Sequence, residues 1–87
     1  MKKTLVIGAS ENPARYSYKA INMLLDHGHD VVAIGNGSGE VSGISYDKEL
    51  LHFDAIDTIT LYINPKIQET YYDYIIGLKP KRIIFNP

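Results

Sequence analysis

Ser10, Arg15 and Ser17 place two hydroxyls and a guanidinium close together in the stretch Leu5-Val-Ile-Gly8-Ala-Ser10-Glu-Asn12-Pro13-Ala-Arg15-Tyr-Ser17. Hydroxyls donate to phosphate oxygens, and the planar, permanently charged fork of Arg suits the same oxygens. The elements that must hold these side chains make a similar offer. Leu5 to Ile7 is a short apolar run that reads as a buried strand, Gly8-Ala9-Ser10 breaks it, and a helical pattern follows. Strand, small-residue turn and helix start aim bare backbone N–H groups and a positive helix end at one place, where phosphate binds. Gly8 would then let a ligand reach the main chain with no Cβ in the way. A tight βα turn that needs Gly8 for geometry alone fits the stretch equally well.

Other chemistries find less support. The dinucleotide pattern Gly-x-Gly-x-x-Gly is missing, since Gly8 is followed by Ala9, Ser10 and Glu11. An acidic residue for ribose hydroxyls is expected at the end of strand two. Ile34-Gly35-Asn36 stands there instead, with Asp30 at the wrong end. NAD(P) is therefore disfavoured. A P-loop would need Gly-Lys-Ser/Thr, which does not occur. His27 and His29 flank a helix end and His52 has no partner by spacing, so no metal ligands are assigned. Glu11 is the single acid beside the candidate loop, read as favouring the helix N-terminus or as solvated. No triad or carboxylate pair assembles, so no catalytic residue is assigned, and binding is better supported than turnover.

Composition narrows the class further. The chain has 87 residues, 45% of them apolar, a formal net charge of −1 and no cysteine. That suits one small α/β domain over residues 1–87 and removes disulfides, thiolate metal sites and Cys nucleophiles. Lys2-Lys3 and the group Lys79, Lys81 and Arg82 are the cation clusters, too few for nucleic-acid or membrane binding. No apolar run approaches ~18 residues and no signal region precedes the first strand, so a soluble, cytoplasmic protein is expected.

The positioning elements alternate. Thr4–Ile7 reads as strand one, and a helix from about Tyr16 carries Ala20, Ile21, Leu24 and Leu25 on one face, with Gly28 as its stop. Asp30–Ile34 is strand two. A flexible Gly35–Gly39 loop follows, with a short edge strand within Val41–Tyr46. Asp47 is expected to cap a brief helix through Leu51, with Leu50, Leu51 and Phe53 turned inward. Asp57–Ile63 is a strand with Ile59, Leu61 and Ile63 on one side. Asn64 and Pro65 then open a helix as N-cap and N1, with Ile67, Tyr71, Tyr74, Ile75 and Leu78 as its buried stripe and Gly77 at its end. Lys81–Phe85 is the last strand. This order predicts a doubly wound parallel sheet in three α/β/α layers, with ligands at the carboxyl ends of the strands. Asn12-Pro13, Asn64-Pro65 and Asn86-Pro87 each follow a strand, and Asn36 follows strand two. The four asparagines are expected along one rim, although turns and helix caps favour Asn and Pro in any case.

Taken together, Val6-Ile-Gly8-Ala-Ser10-x-Asn12-Pro13-x-Arg15-x-Ser17, Leu24-Leu25-x-x-Gly28-His29-x-Val31 and Gly39-Glu40-Val41-x-Gly43 resemble the small bacterial CoA-binding domain proteins. That family resembles the N-terminal domain of the succinyl-CoA synthetase α-subunit, so the resemblance implies a Rossmann-like fold that binds CoA or an acyl-CoA. By resemblance, Gly8, Ala9 and Ser10 hold the CoA pyrophosphate, Asn12, Arg15 and Ser17 complete the phosphate site, Asn36 borders the nucleotide, and Ile63, Asn64 and Pro65 line the other side. Lys19 adds charge nearby. The family's usual Asn-Pro after strand two is replaced here by Gly35-Asn36-Gly37-Ser38. Family members usually continue past Asn86-Pro87, so the chain is expected to stop short of a further helix and strand. An NAD(P)-dependent oxidoreductase fragment or an acyl-CoA ligase component is the alternative, although 87 residues leave no room for a ligase grasp domain. A module with a vestigial pocket is a third, which a cleft blocked by Tyr16 or Tyr18 would favour. A homodimer or another protein partner stays open.

Overall fold

Parallel strands require crossovers, and this chain makes them on both sides of its first strand. The computed structural model describes residues 2–86. Its elements are β1 (Lys3–Ala9), α1 (Tyr16–Asp26), β2 (Asp30–Gly35), β3 (Gly39–Val41), β4 (Ile44–Asp47), β5 (Ile56–Leu61), α2 (Pro65–Glu69), α3 (Tyr72–Leu78) and β6 (Arg82–Phe85). One sheet holds all six strands in the order β3-β4-β2-β1-β5-β6. Every neighbouring pair is parallel except β3 with β4. This is the Rossmann-like α/β arrangement that the sequence predicts.

β1 lies at the centre because Leu5, Val6 and Ile7 are all inaccessible to solvent. Successive side chains point to opposite faces. Leu5 and Ile7 therefore join Ile34, Ile59 and Leu61 beneath Ile75 and Leu78 of α3. Val6 joins Val31 and Ala33 beneath Ile21 of α1. Full burial of each such Ile or Leu contributes about 1.5–3 kcal/mol. Strand order reverses at β1, with β2 on one side and β5 on the other, which opens a crevice at their carboxyl ends.

α1 ends as its sequence predicts. The Gly28 N–H donates to Leu25 O and the His29 N–H to Leu24 O, both at 3.0 Å, with Gly28 at φ +79°. These are the two bonds of a Schellman cap.

Three expectations need correction. The Val41–Tyr46 segment is a hairpin, not one edge strand: Ser42 and Gly43 both have positive φ, 50° and 87°. That is the backbone of a two-residue turn whose twist suits antiparallel strands. The helix expected from Asp47 to Leu51 does not form, because Asp47 ends β4 opposite Ile34. Its Oδ1 accepts the Lys48 N–H at 2.6 Å. Leu50 and Leu51 are about half exposed and only Phe53 packs on the core. The helix after Asn64 is two helices, broken where the Thr70 hydroxyl donates to Ile67 O. Ile67 is exposed, and Gln68 is buried in its stead. Gly77 lies inside α3, whose end is Lys79 in the left-handed region. Pro87 of the last Asn-Pro pair lies outside the described residues.

The Tyr74 hydroxyl donates to Leu51 O and so ties α3 to the irregular segment before β5. Burial, and to a lesser degree the neighbouring Tyr71, push that hydroxyl up to about 12. The neutral phenol is the favoured form in the folded state. Its stabilising contribution is complete below pH 10.0, the usual tyrosine value, and is lost as pH climbs through 10.0 towards 12. An alkaline absorbance titration is expected to show a late tyrosine phase that Tyr74→Phe removes. Gly8 and Gly28 provide a second check. A Cβ at Gly28 meets open space, whereas one at Gly8 lies 2.5 Å from Tyr62 O. Urea unfolding should show Gly28→Ala costing about 1 kcal/mol and Gly8→Ala more than about 2 kcal/mol.

Candidate functional site

The chain turns sharply where β1 ends. Gly8 has φ +99°, and the register against β2 slips between Ile7 and Ala9. Tyr62 explains why glycine stands there, because its carbonyl occupies the space a Cβ would need. Gly8 thus serves strand geometry, whatever approaches from outside. The loop beyond is stitched by its own polar groups. The Asn12 N–H donates to Ser10 Oγ at 3.1 Å, the Ala14 N–H to Asn12 Oδ1 at 3.0 Å, and the Arg15 N–H to Asn12 O at 3.0 Å.

This loop delivers α1 with its N-terminus open. Arg15 is the N-cap, in extended backbone (φ −79°, ψ 143°), with no side-chain capping bond, and no acid stands in the first turn. The leading N–H groups and the positive end of the dipole therefore have no protein counterpart. Ser17, 2% exposed, sits in that turn, and its hydroxyl has no hydrogen-bond partner among the described residues. No fully buried side-chain nitrogen or oxygen among them lacks a partner, so the Ser17 oxygen is reached from outside. The exposed Arg15 guanidinium makes no ion pair among the described residues.

These groups border a cleft of about 1180 Å³ along the carboxyl ends of β1, β2, β5 and β6. Gly8, Ala9, Ser10, Arg15, Ser17, Asn36, Ile63, Asn64 and Pro65 all line it. Asn12 does not; its side-chain oxygen holds the turn. Of the four asparagines expected on one rim, Asn36, Asn64 and Asn86 reach the cleft. Tyr16 is 76% exposed at its edge and Tyr18 packs into the α1 core, so neither blocks it. Lys19 stays outside the lining, its Nζ 5.4 Å from the Tyr16 ring centroid. Lys2, Lys3, Lys79 and Lys81 border a different, smaller hollow with Asp57. Positive potential in the cleft comes from α1 and Arg15. Among the described residues no three His, Asp or Glu side chains gather to hold a metal.

Tyr46, Tyr62, Ile67, Thr70 and Tyr71 also line the cleft, and sequence reasoning missed them as site residues. Tyr46 shapes it most. Its ring lies so close to Gly35 and Gly39 that a Cβ on either would come within 2.6 Å of it. Its hydroxyl accepts the Glu11 N–H at 3.1 Å, and Glu11 Oε2 accepts the Glu40 N–H at 3.2 Å. Glu11 therefore clips the hairpin to the loop instead of serving the helix N-terminus or solvent alone. The glycines flanking the loop after β2 were the available signal, since they make room for a ring.

Residues 2–87 match the family model described as CoA binding domain. The structure is similar to the crystal structure of an uncharacterized protein, with a TM-score of 0.96 and 48% identity over 100% of this chain and 72% of the other. It is similar in fold to a conserved hypothetical protein from Pyrococcus furiosus, with a TM-score of 0.87 and 24% identity over 100% and 76% of the two chains. No curated protein matches the chain.

Removing the Tyr46 hydroxyl tests the clip. Tyr46→Phe should cost about 1 kcal/mol of stability, the usual worth of one hydrogen bond. Amide exchange should speed up at Glu11 and Glu40 while β1 stays protected.

Proposed function

The chain belongs to the CoA-binding domain family, and from that premise we propose that it binds CoA or an acyl-CoA in this cleft without chemistry of its own. The Gly8-Ala9-Ser10 turn and the first turn of α1 receive the pyrophosphate. One observation carries the reading: α1 begins uncapped, and the nearly buried Ser17 in its first turn lines the cleft. A helix end of this kind lacks acceptors, and phosphate oxygens supply them. Each charge-assisted bond of this type contributes about 1.5–3 kcal/mol. Arg15 stands beside it as the cation with a matching fork. Ser10 keeps its hydroxyl hydrogen available, since its oxygen is used only as an acceptor.

The alternatives fit the geometry less well. A nicotinamide dinucleotide wants a carboxylate at the end of β2, where Gly35-Asn36 stands, and the Glu11 carboxylate is already engaged by Glu40. A ligase component needs a phosphorylatable His, and none of His27, His29 and His52 lines the cleft.

Thermal unfolding with CoA, dephospho-CoA, NAD and ADP tests the proposal. A ligand at about 100 times its Kd adds roughly 2.7 kcal/mol. For a domain of this size that is a shift of about 10 °C or more. The expected result is stabilisation by CoA above the other three. A preference for NAD, or no response to any of them, overturns it. Arg15→Ala should weaken CoA binding about tenfold or more while leaving the ligand-free midpoint in place, because the side chain is exposed. Equal losses in binding and stability would make Arg15 structural.

A further inference from the structure

The two sides of the cleft differ in chemistry. The α1 side offers open N–H groups, a free hydroxyl and a guanidinium. The α2 side also carries polar residues, and several of their groups are engaged in holding the backbone. Gln68 Nε2 donates to Ile63 O at 3.1 Å, and Thr70 Oγ1 donates to Ile67 O at 2.7 Å. Asn64 Oδ1 accepts the Ile67 N–H at 3.0 Å. Asn86 Nδ2 donates to Thr60 Oγ1 at 2.9 Å and Leu61 O at 2.8 Å. Ile63, Pro65, Ile67 and the ring of Tyr71 give this wall hydrocarbon surface.

Ile67 marks the wall's purpose. α2 buries Gln68 to 7% exposure and leaves Ile67 at 44%, the reverse of the usual preference of the two residue types. The bond from Gln68 to the end of β5 fixes that rotation and turns Ile67 to the cleft. An exposed isoleucine in a ligand cleft gains most from an apolar ligand group. An alkyl chain needs no hydrogen bond from such a surface, so it can cover Ile67 without leaving a polar group of its own unpaired.

We infer that the α2 wall receives the acyl chain of a fatty acyl-CoA, so that the protein prefers medium-chain acyl thioesters to free CoA. This rests on the CoA proposal above and adds the substrate class. Such a ligand is charged at one end and hydrocarbon at the other, the same polarity as the cleft. The volume of about 1180 Å³ exceeds the roughly 300–1,000 Å³ of pockets for drug-sized molecules.

Calorimetric titration of the full chain with CoA, acetyl-CoA and octanoyl-CoA tests this. Octanoyl-CoA should bind about tenfold more tightly than CoA, equivalent to burying roughly two methylenes. Its heat-capacity change should also be more negative. Ile67→Ser should bring the octanoyl-to-CoA ratio close to one, and Ile67→Leu should preserve it. Ile67 is partly exposed, so the Ser variant is expected to stay folded, which its thermal midpoint checks. Binding of CoA and octanoyl-CoA with equal affinity overturns the inference and leaves the CoA proposal standing. A ratio that survives Ile67→Ser overturns the assignment to this wall. Failure of every thioester and of CoA itself overturns both.

Discussion

The Tyr62 carbonyl sets where the loop after β1 can run. Tyr62 donates its N–H to Ile7 O at 2.8 Å, which ties the ends of β5 and β1 together. One residue later, its oxygen fills the space beside Gly8 and forces a backbone only glycine accepts without strain. The kink lifts the chain off the sheet at the crevice between the two strands, and the Ser10–Asn12 turn carries it into α1. The open helix end faces the cleft because the strands below it are packed this closely. A site resting on such a contact is preorganised, so little conformational freedom remains to be lost when a ligand arrives.

Within the cleft, hydrogen bonding divides the labour. Polar side chains on the β5 and α2 side help to hold the backbone: Asn64 starts α2, Gln68 anchors it and Thr70 ends it. On the α1 side Ser10 and Asn12 also stitch the loop, but Arg15 and Ser17 make no side-chain bond among the described residues. Composition alone makes the two sides look alike, since both carry Ser, Thr or Asn. Their difference lies in what each group is already bonded to, and that difference gives the cleft a direction. The hairpin adds a third wall, fastened through Tyr46 and Glu11.

Local and strongly periodic features were legible in the sequence. β1, β2 and β5 show as apolar runs because two faces bury them, and the Asn64 cap shows because Asn and Pro stand at N-cap and N1 ahead of a helical pattern. The start of α1 was legible, and with it Ser17 and Arg15. Features decided by distant partners were not. Tyr46 matters through a hydrogen bond to Glu11, and nothing near Tyr46 in the sequence reveals it. Counting apolar spacing buries Ile67, but the bond from Gln68 to Ile63 rotates the helix the other way. The Asp47–Leu51 segment looks helical by composition, yet β4 takes Asp47 into the sheet and Tyr74 holds the carbonyl of Leu51. Gly8 was ambiguous for a similar reason, because its constraint comes from the far strand.

The placement of β1 also governs the order in which this molecule can assemble. β1, α1 and β2 are contiguous, so their contacts close short loops. The other flank of β1 must wait for β5, whose Ile56 stands opposite Lys3. Closing that long loop is entropically slow, and contacts of such wide sequence separation retard folding. The crevice exists only after that closure. A nascent chain therefore holds its helix end and its serine long before it has a cleft, and a ligand can stabilise the finished fold without guiding its early collapse.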